Sequence, residues 1–109
     1  MPNELNRFIV HCRNRRESAA FLADLMATPA PFDYGRFTQV NTSNNVGIDF
    51  ADDLVPADRI NESHIAFRVT DEEFDAILAR LKKNSFYQDL PGLPMAWRVS
   101  GRLTVLPTA

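Results

Sequence analysis

Two short alternating stretches carry the side chains best suited to chemistry. In RFIVHC, residues 7–12, Arg7, Ile9 and His11 alternate with Phe8, Val10 and Cys12; in HIAFRV, residues 64–69, His64, Ala66 and Arg68 alternate with Ile65, Phe67 and Val69. Such period-two alternation puts each set on its own face of a strand. Gln39, Gly47 and Asp49 take the equivalent places in two further strands, opposite Val40, Val46, Ile48 and Phe50. A guanidinium on a concave, partly dehydrated surface pairs bidentately with a carboxylate or phosphate. Arg7 and Arg68 are therefore either ligand contacts or partners of protein carboxylates, with Asp49 the obvious partner for Arg7. His11 and His64 on the same faces read as hydrogen-bonding lining residues or as donors to a metal.

The elements that must position these residues are legible around them. Residues 61–83 read as a strand and a helix joined at Thr70, where Thr70 and Glu73 form a T-x-x-E capping box and Val69 and Phe74 a hydrophobic staple. Phe74, Ile77, Leu78 and Leu81 make one apolar stripe, so the helix covers the Ile65/Phe67 face and leaves His64, Ala66 and Arg68 turned away. Residues 5–12 predict a first strand, and Asn14 caps a helix whose Ser18, Phe21, Leu22, Leu25 and Met26 share a stripe ended by the TPAP run at 28–31. Strands follow over 37–41 and 46–50 about a polar turn, then a connecting loop over 51–60. The strand and helix of the first half repeat in the second, so that Arg7 is the counterpart of His64 and His11 of Arg68. Two modules result, residues 1–57 and 58–109 of a single domain. The second is shortened. Phe86 and Tyr87 open a strand, and residues 95–99 and 102–106 form a hairpin turning at Ser100 and Gly101.

Composition excludes several classes. With 109 residues, 45% of them apolar, the chain builds one ordinary core, and a net charge of -2 gives no footprint for nucleic acid. Arg13, Arg15 and Arg16 read as a solvated helix start. No run approaches the ~20 apolar residues of a membrane span. The lone Cys12 shares the face of Phe8 and Val10, which favours a buried structural thiol; with no export signal, a cytoplasmic protein is expected.

The succession LNRFIV, ESAAFLADLM, PAPFDYGRFTQV, VGIDFAD and HIAFRVTDEEFDAILARLKK resembles, from about residue 5 to 90, the vicinal oxygen chelate superfamily of glyoxalases, bleomycin-resistance proteins and extradiol dioxygenases. The resemblance implies an α+β fold of two βαβββ modules, a cupped mixed sheet with helices on its outer face, commonly in dimers, with a divalent metal in the cup of the enzymes. His64 matches a ligand histidine of that family, and Asp49 falls near a carboxylate ligand. Arg7 stands where the first module has its histidine, and a guanidinium has no lone pair to donate. The closing strand, GRLTVL at 101–106, carries no carboxylate, and the chain departs from the family pattern after Leu90, as a divergent or truncated C-terminus does. His11 does not replace the lost donor, since it lies ~13 Å along the strand from Arg7.

The leading expectation is a small-molecule-binding or vestigial member, without a tightly held metal, whose cup is lined by Arg7, Ile9, His11, Gln39, Asp49, His64 and Arg68. The first alternative is a divalent-metal-dependent lyase, isomerase or dioxygenase with His64 and Asp49 as ligands. A ligand-free dimerisation module is the second. A homodimer is expected on all three readings, because the short second module leaves a sheet edge open and the terminal hairpin carries Met95, Trp97 and Val99 on one side.

Overall fold

A computed structural model describes residues 3–60, 65–83, 96–99 and 102–105. Contacts divide the chain into two compact units, one built on Met1–Asn61 and one on Glu62–Pro107. The first has the order β1 (Arg7–His11), α1 (Arg15–Met26), β2 (Phe32–Tyr34), β3 (Phe37–Asn41) and β4 (Gly47–Ala51), followed by a 3-10 turn at Ala57–Arg59. Its four strands form one mixed sheet in the order β1-β4-β3-β2, with β1 parallel to β4 and the other neighbours antiparallel.

Helix α1 starts where a side chain can cap it. Asn14 is extended, and its Oδ1 accepts from the Glu17 amide at 3.0 Å, satisfying one of the amides a helix start leaves over. The helix ends at Ala27, which turns left-handed (φ 54°) so that the last carbonyls meet the amides of Ala27 and Thr28. Between these ends Ser18, Ala19, Leu22, Ala23 and Leu25 are buried, and α1 packs on β3 and β4. Val10, Cys12, Val40, Ile48 and Phe50 make the sheet's half of that core. The expected faces are the observed ones, with β4 one residue later than the pattern implied.

Strand β2 was not expected, since all three of its residues are exposed and the prolines before it signal a loop. Two devices hold it. Tyr34 pairs with Phe37 across a two-residue turn, where Gly35 takes φ +60° and Arg36 a negative φ, the form that places glycine first. Charge does the rest. Arg16 grips Asp33 with Nε and an NH2 nitrogen at 3.4 and 2.8 Å, and Thr38 donates its hydroxyl to Asp33 at 3.0 Å. Arg15 donates to the Phe37 carbonyl at 2.9 Å and its own amide to Asp52 at 3.0 Å. The arginine cluster is thus not simply solvated, because β2 and the segment after β4 bring carboxylates to it. Arg36 closes the rim on Asp53 at 3.3 and 3.1 Å.

The second unit holds β5 (Ile65–Arg68), α2 (Asp71–Lys83), β6 (Ala96–Val99) and β7 (Arg102–Val105), with strand order β5-β7-β6, antiparallel throughout. The capping box forms: the Glu73 amide donates to Thr70 Oγ1 at 3.1 Å, and the Thr70 amide to Glu73 Oε1 at 3.3 Å. Val69, Phe74, Ile77 and Leu81 are buried, while Ala66 and Arg68 are exposed. The β6–β7 hairpin is present as expected; its side chains, the turn at Ser100 and Gly101, Met95 and the strand expected at Phe86 and Tyr87 lie outside the described residues. No helix among the described residues is long and apolar enough to cross a membrane.

Removing the α1 cap with Asn14→Ala is expected to lower unfolding free energy by about 1 kcal/mol, read as a shift of the urea midpoint at constant slope. The carboxyls of Asp33 and Asp53 are held below the usual carboxylate range, first by hydrogen bonds from Arg16 and Arg36. A depressed folded value means that these pairs stabilise fully above about pH 4 and lose that contribution as pH falls through the folded values. Asp33→Asn should therefore flatten the acid limb of stability against pH, leaving the neutral region lower and the two curves converging once pH has fallen below the depressed folded value.

Candidate ligand-binding site

The face of the first sheet away from α1 is organised in rows by the register. Ile9, Asp49, Gln39 and Phe32 stand side by side across β1, β4, β3 and β2, with Arg7, Gly47 and Asn41 in the row before and His11, Tyr34 and Phe37 in the row after. Asp49 lies near the centre and is buried. A buried carboxylate needs a donor, and Gln39 Nε2 supplies one to Asp49 Oδ1 at 2.5 Å. That contact depends on Gly47. A Cβ there would stand 2.9 Å from Gln39 Nε2 and 3.3 Å from Arg7 Cβ, so the glycine clears the space in which the amide lies.

Arg7 and Tyr34 occupy diagonally opposite corners of the sheet, three strand spacings and four residues apart. On a flat sheet that separation is about 19 Å, farther than the two side chains span together. Yet the Arg7 guanidinium lies 5.2 Å from the Tyr34 ring centroid, within cation–π range. The twist of the sheet raises these corners towards each other. The diagonal between them passes over Gln39 and Asp49, so Arg7 and Tyr34 arch above the central pair. Tyr34 and, more weakly, Asp49 hold the guanidinium firmly in its charged form. No Arg7–Asp49 ion pair forms among the described residues, contrary to the simplest expectation, because Gln39 has taken Asp49 and Tyr34 has taken Arg7.

Under this arch is a cavity of about 630 Å3, lined by Arg7, Ile9, Tyr34, Arg36, Phe37 and Asp49 among others. Of the residues expected from sequence, Arg7, Ile9, Gln39 and Asp49 come together. His11 shares the face but lies at another corner, its Nδ1 buried without a hydrogen-bond partner among the described residues. Arg68 belongs to the second unit, and His64 lies outside the described residues. Tyr34, Arg36 and Phe37 are the contributors the sequence reading missed; the FDYGRF run, two aromatics about a Gly-Arg turn, was the signal for them. Cys12 is buried on the helix side, where desolvation pushes its thiol up, consistent with a structural role.

A divalent cation needs about three converging donors. Among the described residues no three His, Cys, Asp or Glu side chains converge, and Asp49 is already bonded to Gln39 beneath a guanidinium. The donors described in this unit do not fit a metal.

Fold and face together define an α+β protein with a cavity of small-molecule size on the open side of a βαβββ sheet. The chain is a structural relative of two solved oxidases. It is 40% identical to oxidase ChaP-H1 over 75% of this chain and 64% of that one, with a TM-score of 0.68. To oxidase ChaP-H2 it is 34% identical over 76% of this chain and 63% of the other, with a TM-score of 0.69. The chain thus spans just under two thirds of the length of each. No family model matches the sequence. No curated protein matches it either.

Gly47→Ala is expected to drive the Gln39 amide off Asp49 with little steric strain, stranding the buried carboxylate at a cost of about 1–3 kcal/mol. Denaturant unfolding measures this. A loss under about 0.5 kcal/mol, within the usual surface-substitution range, would show that Asp49 does not depend on Gln39.

Proposed function

We propose that this chain is a small-molecule-binding protein of the vicinal oxygen chelate superfamily, with its ligand in the cavity under Arg7 and Tyr34. The carrying observation is the cavity itself: about 630 Å3, with Ile9, Tyr34 and Phe37 as apolar walls and Arg7, Arg36 and Asp49 as polar contacts. Small-molecule sites have this size and this composition, largely apolar with a few placed polar groups. The superfamily assignment draws support from the βαβββ order of the first unit and from the two oxidases. Gln39 joins the proposed site through its bond to Asp49, and the protein is proposed to work as a homodimer.

A second reading, favoured by the identity to two named oxidases, makes the chain a metal-dependent oxidase of dioxygenase type. His64 and Asp49 are then its proposed ligands.

Titration of the purified protein with naphthoate, followed by calorimetry, tests the first reading. Saturable binding is expected in the wild type and weaker binding in Ile9→Trp, which narrows the cavity, and in Arg7→Met, which removes its guanidinium; affinity unchanged in both variants would move the site elsewhere. Oxygen uptake dependent on added Fe(II) or Mn(II), and abolished in both His64→Ala and Asp49→Ala, would favour the oxidase.

A further inference from the structure

Three consecutive residues of the β2–β3 turn, Tyr34, Gly35 and Arg36, line the cavity, and all three are exposed. Packing does not hold them. A Cβ built on Gly35 would meet nothing within 4 Å, so among the described residues nothing lies against the tip of the turn on that side. Two side-chain contacts fasten the tip instead: the Tyr34 ring meets the Arg7 guanidinium at 5.2 Å, and Arg36 grips Asp53 at 3.3 and 3.1 Å. Arg7 and Tyr34 belong to the cavity, whereas Asp53 stands on the segment after β4 and is not among the described lining residues. Both contacts are of a weak kind. Arg36 and Asp53 are each about half exposed, and an exposed ion pair or cation–π contact shifts an equilibrium by no more than about fivefold. The base of the turn is better anchored, since Asp33 accepts from Arg16 and Thr38 and the Phe37 carbonyl accepts from Arg15. Three residues with glycine at their centre, fixed at both ends and weakly fastened between, open locally without unfolding the sheet.

We propose, resting on the small-molecule reading above, that residues 34–36 form a flap over the cavity, that Arg36 and Asp53 are its clasp, and that ligand enters and leaves when the clasp is released. Asp53 is then a positioning residue: it acts on the site through Arg36 and does not touch the ligand. This arrangement has a kinetic signature. While the open form is a minor population, entry and exit both scale with it. Loosening the clasp therefore raises the association and dissociation rates by one common factor and leaves Kd where it was, whereas removing a ligand contact changes Kd, chiefly through dissociation.

The test uses Asp53→Asn, which keeps the side-chain shape and removes the charge, beside Asp53→Glu, which keeps the charge. Amide hydrogen exchange of Tyr34 and Phe37, the pair that closes the turn, needs no ligand. Asp53→Asn is expected to speed it about 1.5- to fivefold, with Asp53→Glu close to wild type and the amides of β1 and β4 unaffected in both. Stopped-flow mixing with N-phenyl-1-naphthylamine, a fluorescent probe whose neutrality prevents steering by the lost charge, is expected to show association and dissociation rising together by that factor at constant Kd. Turn exchange unchanged in Asp53→Asn overturns the proposal, as does an equal rise across β1 and β4, which would be global destabilisation. Wild-type probe kinetics in Asp53→Asn, or a changed Kd with an unchanged dissociation rate, also overturns it. Each of these results leaves the small-molecule reading standing. Failure of both the probe and naphthoate to bind wild type overturns that reading, and the gate with it, whatever the exchange rates show.

Discussion

A carboxylate buried in the middle of a sheet face is the constraint around which this site is arranged. Asp49 cannot stay there without a donor, and the donor has to come from the neighbouring strand, because the residue paired with it on the other side is Ile9. Gln39 has the reach, provided nothing projects from the next position on β4. One glycine, one amide and one acid are therefore a single structural decision. The residues on either side inherit it, since Arg7, denied the carboxylate, turns to an aromatic ring instead.

That ring is delivered by the least regular part of the first unit. Strand β2 is three residues long and buries none of them, so apolar packing contributes little to keeping it in place. Arg16 and Thr38 fix it through Asp33, and Arg36 fixes the turn through Asp53. Exposed ion pairs are individually weak, but here each restrains a segment already fastened at one end by the ladder to β3. The cavity wall is thus held by polar contacts on the outside and hydrogen-bonded backbone on the inside, while the hydrophobic core under α1 carries the unit as a whole.

Local chemistry made much of this legible in the sequence. Caps depend on residues three apart, so Asn14 and the Thr70–Glu73 box could be read directly, and alternation assigned Arg7, Ile9, Gln39 and Asp49 to one face because a pleat leaves two choices. What escaped was set by partners distant in the chain. Arg15 and Arg16 meet carboxylates 37 and 17 residues away, and nothing in RNRR discloses which. Tyr34 escaped for a geometrical reason: its approach to Arg7 follows from sheet twist, which a one-dimensional pattern does not carry. Phe37 was placed in its strand, but its part in the cavity depends on the turn before it.

The parallel pairing of β1 with β4 has a consequence for how the site comes into being. Arg7 and Gly47 are neighbours in space but roughly forty residues apart in the chain, whereas β2, β3 and β4 are joined by short turns. Local hairpins close in microseconds, while a distant strand bears a larger loop-closure entropy before any contact rewards it. Gln39 and Asp49 meet within a local hairpin, whereas Arg7 joins them only through the long-range pairing of β1 with β4. The cavity is consequently a property of the completed topology, and whatever fills it binds the native chain and not its partly folded forms, adding its binding free energy to the stability of the native state.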